Sequence, residues 1–220
     1  MKNLYLFDID GTLLSPGPVA RKIINEVIES ATGDNPDLQI EDVAGLTDIV
    51  IIRNALQKHG FAGILSQKIE EVLQTYLVRF EKEYAKSDMA FTYDDAIQYL
   101  DYVEHQGHAK ALLTGNVRRG AEIKLGKFNL FDRFSFGAFG DDAEDRLGLP
   151  MVARERAWDI LTEAYRYDNM VIVGDTPHDA RVADHYGMES IIVCRKPEWK
   201  EEILQAGATT VVDSLEILIH

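Results

Sequence analysis

Five short apolar runs, at residues 4–7, 109–113, 170–173, 190–194 and 209–212, constrain this chain more than any other feature of its sequence. Each is bounded by turn-forming residues and is too short for a helix, which is the pattern of a strand buried on both faces. Between them lie stretches of helical period at 117–128, 150–164, 177–186 and 198–205. Parallel strands need crossover connections. Apolar runs alternating with helices therefore predict an α/β fold: a parallel sheet with helices on both faces.

One stretch breaks this rhythm. From residue 16 to residue 87, helical segments at 19–31, 47–59 and 66–84 follow one another with little that reads as strand. Pro16-Gly17-Pro18 and Ser87-Asp88-Met89 form its two hinges. Helices lying over one sheet face are the alternative, but a crossover connection needs far fewer residues than this. The expected organisation is a core of residues 1–15 and 88–220 with an all-helical insert of residues 16–87.

Composition narrows the partners. The chain has 220 residues, 46% apolar and 27% charged, an ordinary globular mixture able to bury a sizeable core. A formal net charge of −14 with no basic patch disfavours nucleic acid and anionic membranes. Cys194 is the sole cysteine, so no internal disulfide can form. No apolar run nears the roughly 18 residues of a membrane span. The first strand-like run starts at Leu4, which leaves no room for a signal peptide, so a cytoplasmic location is expected.

Three polar signals follow three of the strand-like runs. They are Asp8-Ile9-Asp10-Gly11-Thr12, Thr114-Gly115-Asn116, and Gly174-Asp175-Thr176-Pro177-His178-Asp179. In open parallel sheets the ligand crevice lies beyond the carboxyl ends of the strands, so these three points can converge. Any one alone could be a turn or a helix cap. Asp8 and Asp10 are harder to dismiss, because residues i and i+2 of an extended backbone point the same way and two carboxylates repel. With Asp175 and Asp179 added, the cluster suits a hard cation such as Mg²⁺, which takes one or two carboxylates and a phosphate.

These motifs, in this order and at these separations, resemble the haloacid dehalogenase-like hydrolase superfamily, nearest its phosphoglycolate-phosphatase-like branch with a helical, C1-type cap. The resemblance spans the whole chain; the first and last motifs are specific, and the Thr114 motif alone is weak. It implies a Rossmann-like core with an inserted cap, and a Mg²⁺-dependent phosphatase acting on a small phosphorylated metabolite, as monomer or homodimer. By position, Asp8 would be the nucleophile that becomes an aspartyl-phosphate, and Asp10 the general acid and then the base. Mg²⁺ would be held by Asp8, the backbone carbonyl of Asp10 and Asp175, with Asp179 supporting directly or through water. Thr114 and the amides of Gly115 and Asn116 would bind the phosphoryl oxygens.

One family feature is missing. Many relatives carry a lysine and a proline before the third core helix, but residues 140–150 contain no lysine. Arg146 is the expected substitute, with Arg154 and Arg156 as rivals, and its removal is expected to cut turnover with little change in melting temperature. In the insert, Ala44-Gly45-Leu46-Thr47-Asp48 reads two ways. In one, Thr47 or Asp48 caps the next helix; in the other, Gly45, Thr47 and Asp48 resemble the family's cap loop that touches the leaving group. Tyr76, Phe80 and Tyr84 share one helical face and read as cap core, while His59, His105 and His108 read as surface or turn residues.

Other activities of this fold remain open at this level. A phosphomutase is compatible with Asp10. A 2-haloacid dehalogenase predicts no acid at that position. A phosphonatase needs a cap lysine, and Lys22, Lys58 and Lys68 lie in no matching context. A non-catalytic binding protein predicts a lost motif carboxylate, and none is lost.

Overall fold

The computed structural model describes residues 2–61 and 65–219. In chain order the elements are β1 (Leu4–Phe7), β2 (Leu14–Ser15), α1 (Val19–Thr32), α2 (Ile40–Val43), α3 (Asp48–Lys58), α4 (Leu65–Lys86), β3 (Phe91–Thr92) and α5 (Asp94–His105). They continue with β4 (Ala109–Leu113), α6 (Arg118–Gly126), β5 (Gly137–Ala138), α7 (Leu149–Leu161), β6 (Met170–Gly174), α8 (Pro177–Tyr186), β7 (Glu189–Val193), α9 (Lys200–Gln205) and β8 (Thr210–Val212).

Six strands form one parallel sheet in the order β5-β4-β1-β6-β7-β8. Alternate residues of β1 serve opposite faces. Phe7 joins Leu112, Val173 and Tyr99 of α5 on one side. Leu4 and Leu6 join Ala111, Ile172 and Ala153 of α7 on the other. Burial on both faces explains why the strands read as unbroken apolar runs. Four elements lie outside the segments named from sequence: the short helix α2, α5, the edge strand β5, and the β2–β3 ribbon.

The segment between β2 and β3 is helical and has a core of its own. Ile23, Ile28, Ile52, Leu56, Phe80 and Tyr84, from α1, α3 and α4, are all fully buried in it. Tyr76 and Phe80 stack with ring centroids 5.4 Å apart. Entry and exit are tied together, since Leu14 pairs with Thr92 and Ser15 with Phe91 in antiparallel register. The hinges also touch. Gly17 has φ +66°, and a Cβ there would lie 2.9 Å from both Cβ and the carbonyl oxygen of Met89.

Gly17→Ala should therefore destabilise the protein by about 1–2 kcal/mol from the left-handed backbone alone, with the Met89 contact adding to it. Urea unfolding measures this, and an unchanged midpoint would show that the two hinges separate without strain.

Candidate active site

The three polar signals end adjacent strands. Asp8 follows β1 at the centre of the sheet, Thr114 follows β4 on one side, and Asp175 follows β6 on the other. The Asp8 amide donates to the Val173 carbonyl at 2.9 Å, extending the ladder one residue into the motif. Glycines let the chain close around the carboxylates. A Cβ on Gly11, at φ +83°, would fall 2.0 Å from Asp175 Oδ2, and one on Gly174 would fall 2.3 Å from Asp179 Cγ.

Oxygens of Asp8, Asp175 and Asp179 lie within 4.8 Å of one another, all buried. Asp179 is the third residue of α8 and completes a capping box with Thr176. Its Oδ2 accepts from the Thr176 amide at 3.0 Å and the Thr176 hydroxyl at 2.7 Å, and its Oδ1 accepts from Arg146. Both oxygens of Asp179 are thus engaged by the protein, while each of the three carboxylates still offers an oxygen to a metal.

Arg146 is the cation of this cluster. It lies in the short turn before α7, is 8% exposed, and places Nη2 3.0 Å from Asp8 Oδ1 as well as on Asp179. Of its rivals, Arg154 stacks 4.6 Å over the Tyr167 ring. Arg156 forks onto Asp142 and the Gly137 carbonyl, bracing the edge of the sheet. The expected thermal neutrality of an Arg146 variant does not fit this burial. Removing one partner of a buried charge group leaves the others uncompensated, a loss of about 3–5 kcal/mol.

One guanidinium does not neutralise three carboxylates. Burial pushes Asp8 up to about 6; Arg146 opposes the rise, and Asp179 and Asp10 add to it. Asp175 is raised well above the ordinary range by burial, then by Asp179 and Asp8. Buried hard oxygen donors, two of which resist ionisation, are what a divalent cation corrects, so the donor set fits one.

Asp10 lies on the far side of Asp8 with different partners. Its Oδ2 accepts from Asn116 Nδ2 at 2.8 Å and from Lys124 Nζ at 2.6 Å, while its Oδ1 is buried without a partner. Asn116 also donates through Nδ2 to Thr114 Oγ1 at 2.8 Å, and its amide reaches the same hydroxyl at 3.3 Å. The Asn116 side chain is therefore turned to Asp10 and Thr114. Lys124 was not among the sequence candidates. Its only signal is a charge on the buried face of α6, in register with Ala121 and Leu125.

The cap loop sits directly on these motifs. Thr47 caps α3 by accepting from the Val50 amide at 3.2 Å, yet it is also buried against the core. The Asp48 amide donates to the Gly115 carbonyl, and Asp48 Oδ2 accepts from the Val117 amide, both at 2.9 Å. A Cβ on Gly115 would lie 2.2 Å from the Leu46 carbonyl oxygen, and one on Gly45 would lie 2.6 Å from His178. Burial raises Asp48 to about 6, against the pull of Lys124. Tyr76, Phe80 and Tyr84 are cap core, and Phe80 also covers Lys124, with Nζ 5.9 Å from the ring centroid. His59, His105 and His108 contact Asp34, the Asp101 carbonyl and the Asn3 amide, all outside this cluster. Between cap and core lies a cavity of about 390 Å³ reaching Asp8, Asp10, Thr114, Asp48 and Tyr76.

Carboxyls whose folded pKa is raised bind protons the unfolded chain has lost, so they weaken the fold as pH rises through the window between the ordinary value, about 3.9, and about 6. A cation at the same oxygens reverses that penalty. The melting-temperature gain of Mg²⁺ over EDTA should therefore be larger at pH 7 than at pH 5. Equal gains, or none, would separate the cluster from metal binding.

The arrangement agrees with what the chain is similar to. It is 24% identical over 230 residues to the protein named Probable phosphatase IndB of Dickeya dadantii (strain 3937), covering 100% of this chain and 93% of that one. Its fold matches, with TM-score 0.76, the structure of a "predicted phosphoglycolate phosphatase" from Haemophilus somnus 129pt, 15% identical over 99% of this chain and 96% of that one. A hydrolase from Pseudomonas syringae gives TM-score 0.73 at 18% identity, covering 100% and 97%. Among the described residues, no helix is long and apolar enough to cross a membrane. Residues 5–193 match the haloacid dehalogenase-like hydrolase family, which takes in all three strand-end motifs and the cap between them, and the chain belongs to that family.

Proposed function

We propose that this chain is a Mg²⁺-dependent phosphatase that hydrolyses a small phosphate monoester through an aspartyl-phosphate on Asp8. The observation that carries this reading is the split environment of the two aspartates. Asp8 lies in a buried cluster with Arg146, Asp175 and Asp179, while Asp10, two residues on, is held apart by Asn116 and Lys124. Separated environments are what two carboxyls need to play nucleophile and acid–base.

In the first step Asp8 attacks phosphorus, the bond from phosphorus to the leaving oxygen breaks, and the proton of the Asp10 carboxyl passes to that oxygen. In the second step water attacks phosphorus, Asp10 takes its proton, and the Asp8–phosphoryl bond breaks to release phosphate. Arg146 and the Thr114 region orient the phosphoryl oxygens. Asp8, Asp175 and the Asp10 carbonyl would hold Mg²⁺, with Asp179 fixing Arg146 beside them. When bound, the metal supplies positive charge that lets an anionic nucleophile approach an anionic phosphate. The cap side of the cavity, at Asp48 and Tyr76, faces the leaving group.

With p-nitrophenyl phosphate and Mg²⁺ the protein should release inorganic phosphate, and both EDTA and Asp8→Asn should lower the rate by at least about a thousandfold. Undiminished release in either case would contradict the proposal.

A further inference from the structure

We propose that Lys124 is a positioning residue for the proton transfer at Asp10, a second buried cation serving the leaving-group side as Arg146 serves the nucleophile. This rests on the phosphatase reading above. Lys124 is 4% exposed, beneath Phe80 of the cap, a placement that an ammonium group tolerates only with close partners. Its partners are Asp10 Oδ2 and Asn116 Oδ1. Asn116 in turn donates to the same Asp10 oxygen, so Lys124, Asn116 and Asp10 form a closed triangle.

Both donors act on Oδ2. That leaves Oδ1 as the oxygen with no partner among the described residues. The oxygen of a leaving group is the partner that position lacks. The triangle fixes the plane of the carboxyl, and with it the direction in which the proton leaves. Lys124 does so from α6 of the core, with Phe80 of α4 lying over it.

A residue that orients the acid matters most when the leaving group needs a proton. The test is a series of aryl phosphates from p-nitrophenyl to phenyl, extended to benzyl phosphate, read as log kcat/KM against leaving-group pKa. Lys124→Met should steepen the slope. Benzyl phosphate should lose about 10²-fold or more, p-nitrophenyl phosphate should lose far less, and Lys124→Arg should recover part of the loss. A parallel drop across the series, or no drop, would overturn the proposal. If Lys124→Met does not fold, Lys124→Gln carries the same slope measurement. Failure of the phosphatase reading looks different, because Asp8→Asn would then leave the wild-type series intact.

Discussion

The fold turns on the crowding of negative charge at the ends of three neighbouring strands. Asp8, Asp175 and Asp179 bring oxygens within 4.8 Å of one another in a buried site with one guanidinium between them. Left alone, such a cluster repels itself and resists ionisation. The protein holds it together by geometry. The parallel pairing of β1 with β6 brings Asp8 and Asp175 to neighbouring strand ends, the capping box of α8 aims Asp179 at Arg146, and the absence of a Cβ at Gly11 and Gly174 allows the approach. A cluster so arranged favours added positive charge.

The helical segment between β2 and β3 covers this cluster. The described cap residues that reach the motifs do so through the 44–48 loop and the aromatic face of α4. The loop lies so close that a Cβ at Gly115 would meet the Leu46 carbonyl, and one at Gly140 would approach the Gly115 carbonyl to 2.1 Å. Thr47 caps α3 while buried against the core, and Asp48, the first residue of α3, bonds the Gly115 carbonyl and the Val117 amide. Lys127 adds a further tie, donating to the carbonyls of Tyr84 and Ser87 at the end of α4.

Much of this was legible in the sequence because it is local. The apolar runs of β1, β4, β6, β7 and β8 carry their own burial signal, and the strand-end motifs carry theirs. Arg146 could be placed because Pro150 marks the start of α7 and puts position 146 in the loop before it. What escaped depends on long-range contact. The two-residue strand β5 exists only through its pairing with Leu112 and Leu113. Lys124 looks like any lysine on a helix until β4 and α4 close around it. Asp179 reads as a metal ligand, and only the assembled site shows that it also accepts from Thr176 and Arg146. The helix α5 is a different case. Its buried set, Ala96, Tyr99, Leu100 and Val103, has the helical period and needed no tertiary information.

The central claim is that phosphorus becomes bonded to Asp8 while Asp10, two residues away, handles protons. Peptide mass spectrometry after a rapid acid quench of enzyme, Mg²⁺ and excess p-nitrophenyl phosphate tests it directly. The account predicts a phosphoryl group on the peptide bearing Asp8, located on Asp8 itself and absent from Asp8→Asn. A phosphoryl group on another residue, or turnover by Asp8→Asn at the wild-type rate, would contradict it.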